Sequence, residues 1–184
     1  MLRLFVGAVL PAAARDDLSG VLGPLRSALG DAVSWTRPTG WHVTLAFIGR
    51  VPAEVGPVVD EVAAAVARDW PGPPAVAVTT TDVAVLGRGA VAIALRDEPE
   101  GAFADLGEQL QVALAAADVP VARRPVRPHV TVARARRGRD VRGVDGMMLD
   151  PVGWDADGVQ VVTSHLGDGP ARYEVRSNHP FVAG

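Results

Sequence analysis

Cysteine and lysine are both absent from the 184-residue chain. Without cysteine there is no disulfide, no thiolate nucleophile and no Cys-based zinc site. Without lysine, all 18 basic side chains are arginine. The arginine fork matches phosphate bidentately, but a total absence of lysine is better read as a mark of genome composition than of function. Outside the N-terminus no apolar run approaches the ~18 residues of a transmembrane span, so nothing supports a membrane partner. An excess of positive charge is also missing. The formal net charge of −3 argues against wholesale electrostatic binding of nucleic acid.

What is present fits a soluble globular protein. With 48% hydrophobic and 21% charged residues, the chain can bury a full core as one domain or as two small lobes. The arginines are unevenly spread. Arg123, Arg124, Arg127, Arg134, Arg136, Arg137, Arg139 and Arg142 place eight of the 18 within one short stretch. Such a patch steers a phosphate-bearing ligand even on an acidic protein, or it is simply a solvated loop. The N-terminus has two readings. Arg3, the apolar Leu4 to Leu10 and the small Ala12 to Ala14 have the layout of a short secretory signal. Pro11 followed by a polar helical pattern suits a buried first strand running into a helix, and that reading is adopted.

Patterning sets the element order. Leu2 to Leu10 reads as a buried strand, and Pro11 to Leu29 as a helix on the spacing of Leu18, Val21, Leu22, Leu25 and Leu29, with Pro24 kinking it. Val33 to Arg37 and His42 to Ile48 read as strands joined by the Pro38-Thr39-Gly40 turn. Helices follow over Pro52 to Trp70 and Pro99 to Asp118. Between them lies a hairpin, Ala75 to Leu86 and Ala90 to Arg96, around Gly87-Arg88-Gly89. Gln160 to Leu166 and Arg172 to Arg176 close the chain as a pair around Gly167-Asp168-Gly169. Frequent hairpin-like links predict an α+β protein with antiparallel sheets rather than a doubly wound parallel one.

The chemistry lies in a repeated tetrapeptide. His42-Val43-Thr44-Leu45 and His129-Val130-Thr131-Val132 use two of the four histidines. On a strand, residues i and i+2 share a face, so each His points with its Thr while the apolar pair points into the core. Two such strands facing one another provide two proton-transfer groups and two hydroxyl donors around one pocket, an outfit for opening or closing a phosphodiester without a metal. The copies lie 129 − 42 = 87 residues apart, near half the chain length. An internal duplication would then give two similar lobes, and two histidines on one strand pair, or far apart, would exclude it. Arg127 shares the His129 face if the strand continues through Pro128, where a phosphate contact and a structural ion pair are both open. His165 and His179 lack the motif and read as structural. Trp35 and Trp41 read as core or rim, with base stacking as the alternative. Asp82, Asp150 and Asp155 show no metal-ligand spacing.

With these residues in place, the sequence resembles the 2H phosphoesterase superfamily, and more narrowly the bacterial RNA 2′,3′-cyclic phosphodiesterases, also called 2′-5′ RNA ligases. The similarity runs from Leu2-Arg3-Leu4-Phe5-Val6 through Trp35-Thr36-Arg37-Pro38 and Trp41 to Gly49. It continues over Arg124 to Arg134 and closes with Ser164-His165-Leu166 and Ala171-Arg172-Tyr173-Glu174-Val175. The resemblance implies a single domain over residues 1–184, bilobal, with two antiparallel sheets and outer helices flanking a central cleft. It implies that an RNA 2′,3′-cyclic phosphate is opened to a 2′-phosphate, with 2′-5′ ligation of a 5′-hydroxyl end as the reverse chemistry. His42 would then be the proton donor to O3′ and His129 the proton acceptor from water. Thr44, Thr131 and Arg127 would bind the phosphate, with no metal or other cofactor. The implied setting is a cytoplasmic monomer acting on RNA ends such as tRNA fragments. Val126 stands where the family frequently has an aromatic, and Ala46 where it often has lysine, which weakens any claim on base stacking or on an extra cationic contact.

Two other functions remain open at the sequence level. The same site could act on a small cyclic nucleotide or a 2′-5′ oligoadenylate. Alternatively, the fold could serve as a non-catalytic RNA-binding module, against which the intact pair of His and pair of Thr count.

Overall fold

The N-terminal apolar run folds as β1 (Leu2–Val9) in a computed structural model that describes residues 1–165 and 171–182. β1 lies between β3 (His42–Val51) and β8 (Gly158–His165), antiparallel to both. Covered on both faces, it tolerates no polar alternation, and Leu4, Phe5, Val6 and Ala8 are all buried. The stretch with a signal-like layout is thus a central strand of the fold.

The helix expected over Pro11 to Leu29 forms as two, α1 (Ala12–Val21) and α2 (Gly23–Leu29). Pro24 sits in the first turn of α2, where its missing N–H is least costly. It therefore starts a helix rather than kinking one. α3 (Val55–Arg68) buries Gly56, Val59, Ala63 and Ala67 on a stripe of 3.6 periodicity, and α4 (Ala102–Ala116) buries Phe103, Leu106, Leu110 and Leu114 in the same way. Truncating any of these α4 side chains to alanine is expected to cost about 2–5 kcal/mol. The start of α4 is fixed by buried Asp97, whose carboxylate accepts the Gly101 N–H (3.1 Å) and the Phe103 N–H (2.7 Å). That side-chain acceptor satisfies amides left orphaned at a helix start.

The remaining strands are β2 (Val33–Trp35), β4 (Val76–Leu86), β5 (Ala90–Glu98), β6 (His129–Ala135), β7 (Gly153–Ala156) and β9 (Arg172–Pro180). The α+β class and the antiparallel pairing match the sequence reading. One expectation is corrected. The two sheets are halves of one, ordered β7-β4-β5-β6-β3-β1-β8-β9, with β2 added on β6. They join where β3 meets β6 through the single pair Val43↔Val130. The two histidine strands therefore form one strand pair, the arrangement stated above to exclude a duplication. The spacing argument fails there, even though each histidine strand is followed outward by an antiparallel partner that precedes it in sequence across a helical link.

Two further differences have local causes. β2 does not pair with β3 across the Pro38–Gly40 turn. It pairs with β6, Trp35 opposite Ala133, because that turn is a 3-10 segment that carries the chain from one strand to the other. β7 went unread because Gly153, Trp154, Asp155 and Ala156 show little apolar character, and it lies on β4 at the sheet edge. Leu166 and Gly167-Asp168-Gly169 lie outside the described residues. No helix among the described residues is long and apolar enough to cross a membrane.

Candidate active site

The single pair that joins the sheet halves also builds the site. Val43 and Val130 are buried, as are Leu45 and Val132, so the intervening His42, Thr44, His129 and Thr131 all take the open face. Antiparallel register around Val43↔Val130 sets Thr44 across from His129 and His42 across from Thr131. Sequence reasoning named all four residues, and the structure brings them together.

Each strand then carries a β-bulge immediately after its threonine. On β3 the partners of Ala46 and Thr44 are the adjacent Val6 and Gly7, leaving Leu45 as the extra residue. On β6 the partners of Ala133 and Thr131 are Val91 and Ala92, leaving Val132 extra. A bulge frees a carbonyl from the ladder, and a buried free carbonyl is costly. Leu45 O is taken by the buried Gln111 Nε2 (3.1 Å), and Val132 O by the Thr36 N–H (2.8 Å). Gln111 also accepts the Arg124 N–H (2.8 Å), which ties the loop before β6 to β3. Neither the bulges nor Gln111 could be read from the sequence, since a bulge leaves the apolar character of its residue unchanged.

The two imidazoles are oriented by the same device. His42 Nδ1 lies 2.7 Å from Gly40 O, and His129 Nδ1 lies 2.7 Å from Arg127 O. A carbonyl only accepts, so Nδ1 carries the proton in each ring and Nε2 is left as the working nitrogen. Their surroundings differ. The His42 ring is stacked on Phe5 (centroids 4.3 Å) and meets the edge of Tyr173 (4.9 Å). Two glycines make this packing fit. A Cβ at Gly7 would fall 2.3 Å from Val43 O, and one at Gly40 would fall 2.6 Å from the Tyr173 ring. Burial pushes the His42 pKa down to about 4. The Gly40 carbonyl opposes that shift, while the charges of His129 and Arg134 add to it.

In front of these strands lies a cavity of about 710 Å³ whose wall includes Thr44, His129 and Thr131. His42, across from Thr131 on the same face, stacks on Phe5 beside Tyr173. No side-chain hydrogen bond among the described residues engages the Thr44 or Thr131 hydroxyl. Arg127 also lines the cavity and forms no ion pair among the described residues. Its strand does not extend through Pro128, whose carbonyl accepts the Leu95 N–H. Arg127 instead contributes the carbonyl that orients His129.

The arginine stretch divides by use. Arg124, Arg127 and Arg134 line the cavity. Arg136 donates to Val33 O, Arg139 pairs with Asp31 and Arg142 with Asp140. Arg88, read only as part of a turn, lines the cavity as well. Val126 fills the space over Gly107 and reaches the cavity, while Ala46 is buried. Trp41 is core, and Trp35 lies under Arg26 rather than in the cavity wall. His165 pairs with Glu174, and His179 with Ser177. Among the described residues no cluster of three or more His, Asp or Glu is arranged to hold a metal ion.

Comparison with known proteins gives this arrangement a context. TT0787 of Thermus thermophilus superposes with a TM-score of 0.75 at 21% identity over 98% of both chains. E. coli LigT, in its complex with 3′-AMP, gives 0.74 at 22% identity over 98% of both chains. The MHV ns2 PDE domain gives 0.59 at 18% identity, over 88% of this chain and 99% of that one. At these identities the likeness is one of fold. No curated protein matches the chain. Residues 14–168 match the model of the 2′-5′ RNA ligase superfamily, which covers most of the sequence, and the chain belongs to that family.

Proposed function

We propose that the protein is an RNA 2′,3′-cyclic phosphodiesterase that opens the cyclic phosphate to a 2′-phosphate, with 2′-5′ ligation as the same ring opening by a 5′-hydroxyl. Membership of the superfamily makes it a phosphoesterase-type protein. The observation that carries the finer reading is the pair of imidazoles on neighbouring strands, each with Nδ1 bound to a carbonyl two positions earlier and each beside a threonine hydroxyl. Relatives support a nucleotide ligand, since LigT has been solved with 3′-AMP and with NADP+.

In this reading His129 Nε2 takes a proton from water as its oxygen attacks phosphorus. The P–O3′ bond breaks in line, and His42 Nε2 delivers a proton to the departing O3′. Thr44 and Thr131 donate to the non-bridging oxygens, where charge develops in the transition state, and Arg127 contacts the phosphate from the cavity wall. A 5′-hydroxyl in place of water gives the 2′-5′ linkage by the same steps. The chain's own groups supply acid, base and anion contacts, so the reading calls for no cofactor. It places the protein as a cytoplasmic monomer in which residues 1–184 act as one unit on ends such as those of tRNA fragments.

The donor role sets a condition. His42 with a pKa near 4 is neutral at pH 7 in the free protein. Bound phosphate places a negative charge beside the ring, opposing the Arg134 charge that helps to depress its pKa, and thereby draws a proton onto it. The test is incubation with EDTA and a short RNA ending in a 2′,3′-cyclic phosphate, with His42→Ala and His129→Ala as controls. A 2′-phosphate product that disappears in both variants is expected. A 3′-phosphate product, or turnover kept in either variant, would overturn the assignment, and turnover of a cyclic mononucleotide alone would shift the substrate to small nucleotides.

A further inference from the structure

We infer that the cavity holds a second phosphate subsite, built on Arg88 at the tip of the β4–β5 hairpin. The subsite takes a phosphodiester of the polynucleotide other than the reacting one. The inference rests on the proposed phosphodiesterase reading and extends it from the reacting phosphate to the strand beyond it.

The geometry follows from strand direction. β3 and β6 are antiparallel and meet at Val43↔Val130, so residues beyond the motifs leave the catalytic centre toward opposite ends. Along β3 the chain leads to Phe47, and along β6 it leads to Arg134 and Ala135. Both ends line the same cavity. The Phe47 end is closed by Ala122, whose N–H bonds Phe47 O (3.1 Å), and by Val126. The Arg134 end is closed by Gly87-Arg88-Gly89. The reacting phosphate, held between His129 and the two threonines, thus has Arg124 and, over the Phe47 ring, Arg3 on one flank, and Arg88 with Arg134 on the other.

The Arg88 flank is firmly placed. Gly87 and Gly89 take positive φ (53° and 96°), which lets the hairpin turn tightly. Gly89 O accepts the Ala135 N–H (2.8 Å), and a Cβ at Gly89 would fall 2.6 Å from that of Ala135. The turn is pressed onto β6 with no room between them. Arg88 therefore lines the cavity from a fixed backbone together with Arg134, whose charge already reaches far enough to depress the pKa of His42.

Charge balance supplies the ligand class. No Asp or Glu lines the cavity, while Arg88, Arg124, Arg127 and Arg134 all do. None of the four forms an ion pair among the described residues, whereas Arg139 and Arg142 farther along are paired with Asp31 and Asp140. A cyclic phosphate carries a single negative charge. With Arg127 at the reacting phosphate and Arg124 at the Phe47 end, Arg88 and Arg134 at the hairpin end are left without an anion, and a further phosphodiester there matches them. Arginine also offers that anion a bidentate contact.

The experiment compares a cyclic mononucleotide with a trinucleotide ending in a 2′,3′-cyclic phosphate, for the wild-type protein, Arg88→Ala and Arg88→Lys. With Arg88→Ala, the trinucleotide-to-mononucleotide ratio of kcat/KM is expected to fall about tenfold, the scale of one charge-assisted contact. The slope of log kcat/KM against log salt for the trinucleotide should also flatten by about 0.7, as for one lost phosphate contact. Arg88→Lys should restore the salt slope and part of the ratio. A ligation arm identifies the strand. Loss confined to the KM of a 5′-hydroxyl acceptor places the phosphodiester on the acceptor, and loss in hydrolysis places it on the cyclic-ended strand. An unchanged ratio, salt slope and acceptor KM together overturn the subsite. If the wild-type protein turns over neither substrate, the phosphodiesterase reading fails by itself. Salt-dependent binding of a trinucleotide 2′-phosphate then decides the subsite, with equal affinity and slope in wild type and Arg88→Ala counting against it.

Discussion

The two histidine strands carry the same residues and different environments. On β3 and β6 alike, the ring is held through Nδ1 by a carbonyl two positions earlier, the threonine follows on the same face, and a bulge comes next. His129 faces the cavity beside Arg127, while His42 stacks on Phe5 and meets the edge of Tyr173. A shared local motif fixes geometry, and the neighbours brought by distant strands fix protonation. The tetrapeptide alone therefore cannot say which ring is acid and which is base.

The largest expected effect comes from removing either ring. His42→Ala and His129→Ala should each lower kcat/KM by ~10²–10⁴-fold. Sulfur in place of the bridging O3′ then separates them, because a thiolate leaves without needing a proton. That substrate should rescue His42→Ala and leave His129→Ala impaired, and the reverse pattern would exchange the roles. Next come the hydroxyls. Thr44→Val and Thr131→Val should each cost ~10²-fold in kcat if both donate to the developing oxyanion. Equal losses would show that the two strands serve the phosphate alike.

The buried ring also leaves a mark on stability. The His42 pKa is lowered in the folded protein to about 4 from 6.5, so between those values the unfolded chain binds the extra proton. Stability is therefore complete above pH 6.5 and is lost as the pH falls toward 4, by about 3 kcal/mol in total. Denaturant unfolding at pH 7 and near 4 should show that loss, and His42→Gln should remove most of it. The smallest effect concerns the ring's cover. Tyr173→Ala admits water to one side of His42 and should raise its pKa toward 6.5, read by NMR titration. Inorganic phosphate should raise it as well. A His42 pKa that stays low with phosphate bound would argue against its being the donor.

Much of this was legible in the sequence, for physical reasons. The strand alternation of His-x-Thr-x put His42 with Thr44 and His129 with Thr131, because a period of two is a property of any strand. The helices over Pro52 to Trp70 and Pro99 to Asp118 were equally legible, and they fold as α3 and α4. What stayed hidden depended on pairing between distant segments. The joining of β3 to β6 at Val43↔Val130, the diversion of β2 onto β6 and the bulges at Leu45 and Val132 are matters of partner choice, on which local pattern is silent. The same holds for Phe5, Tyr173, Gln111 and Arg88. Each is an ordinary residue in its own segment and gains meaning only from what the fold sets beside it.

The strand order also dictates when the site becomes complete during synthesis. β4, β5, β6 and β7 lie between Val76 and Ala156, an uninterrupted stretch that leaves the ribosome together. The half that holds His42 instead combines β1 and β3 with β8 and β9 from the last part of the chain. Tyr173, which covers the His42 ring, arrives with β9. A nascent chain can thus present its His129 strand well before the His42 ring has its cover. The buried environment that tunes that ring is assembled last.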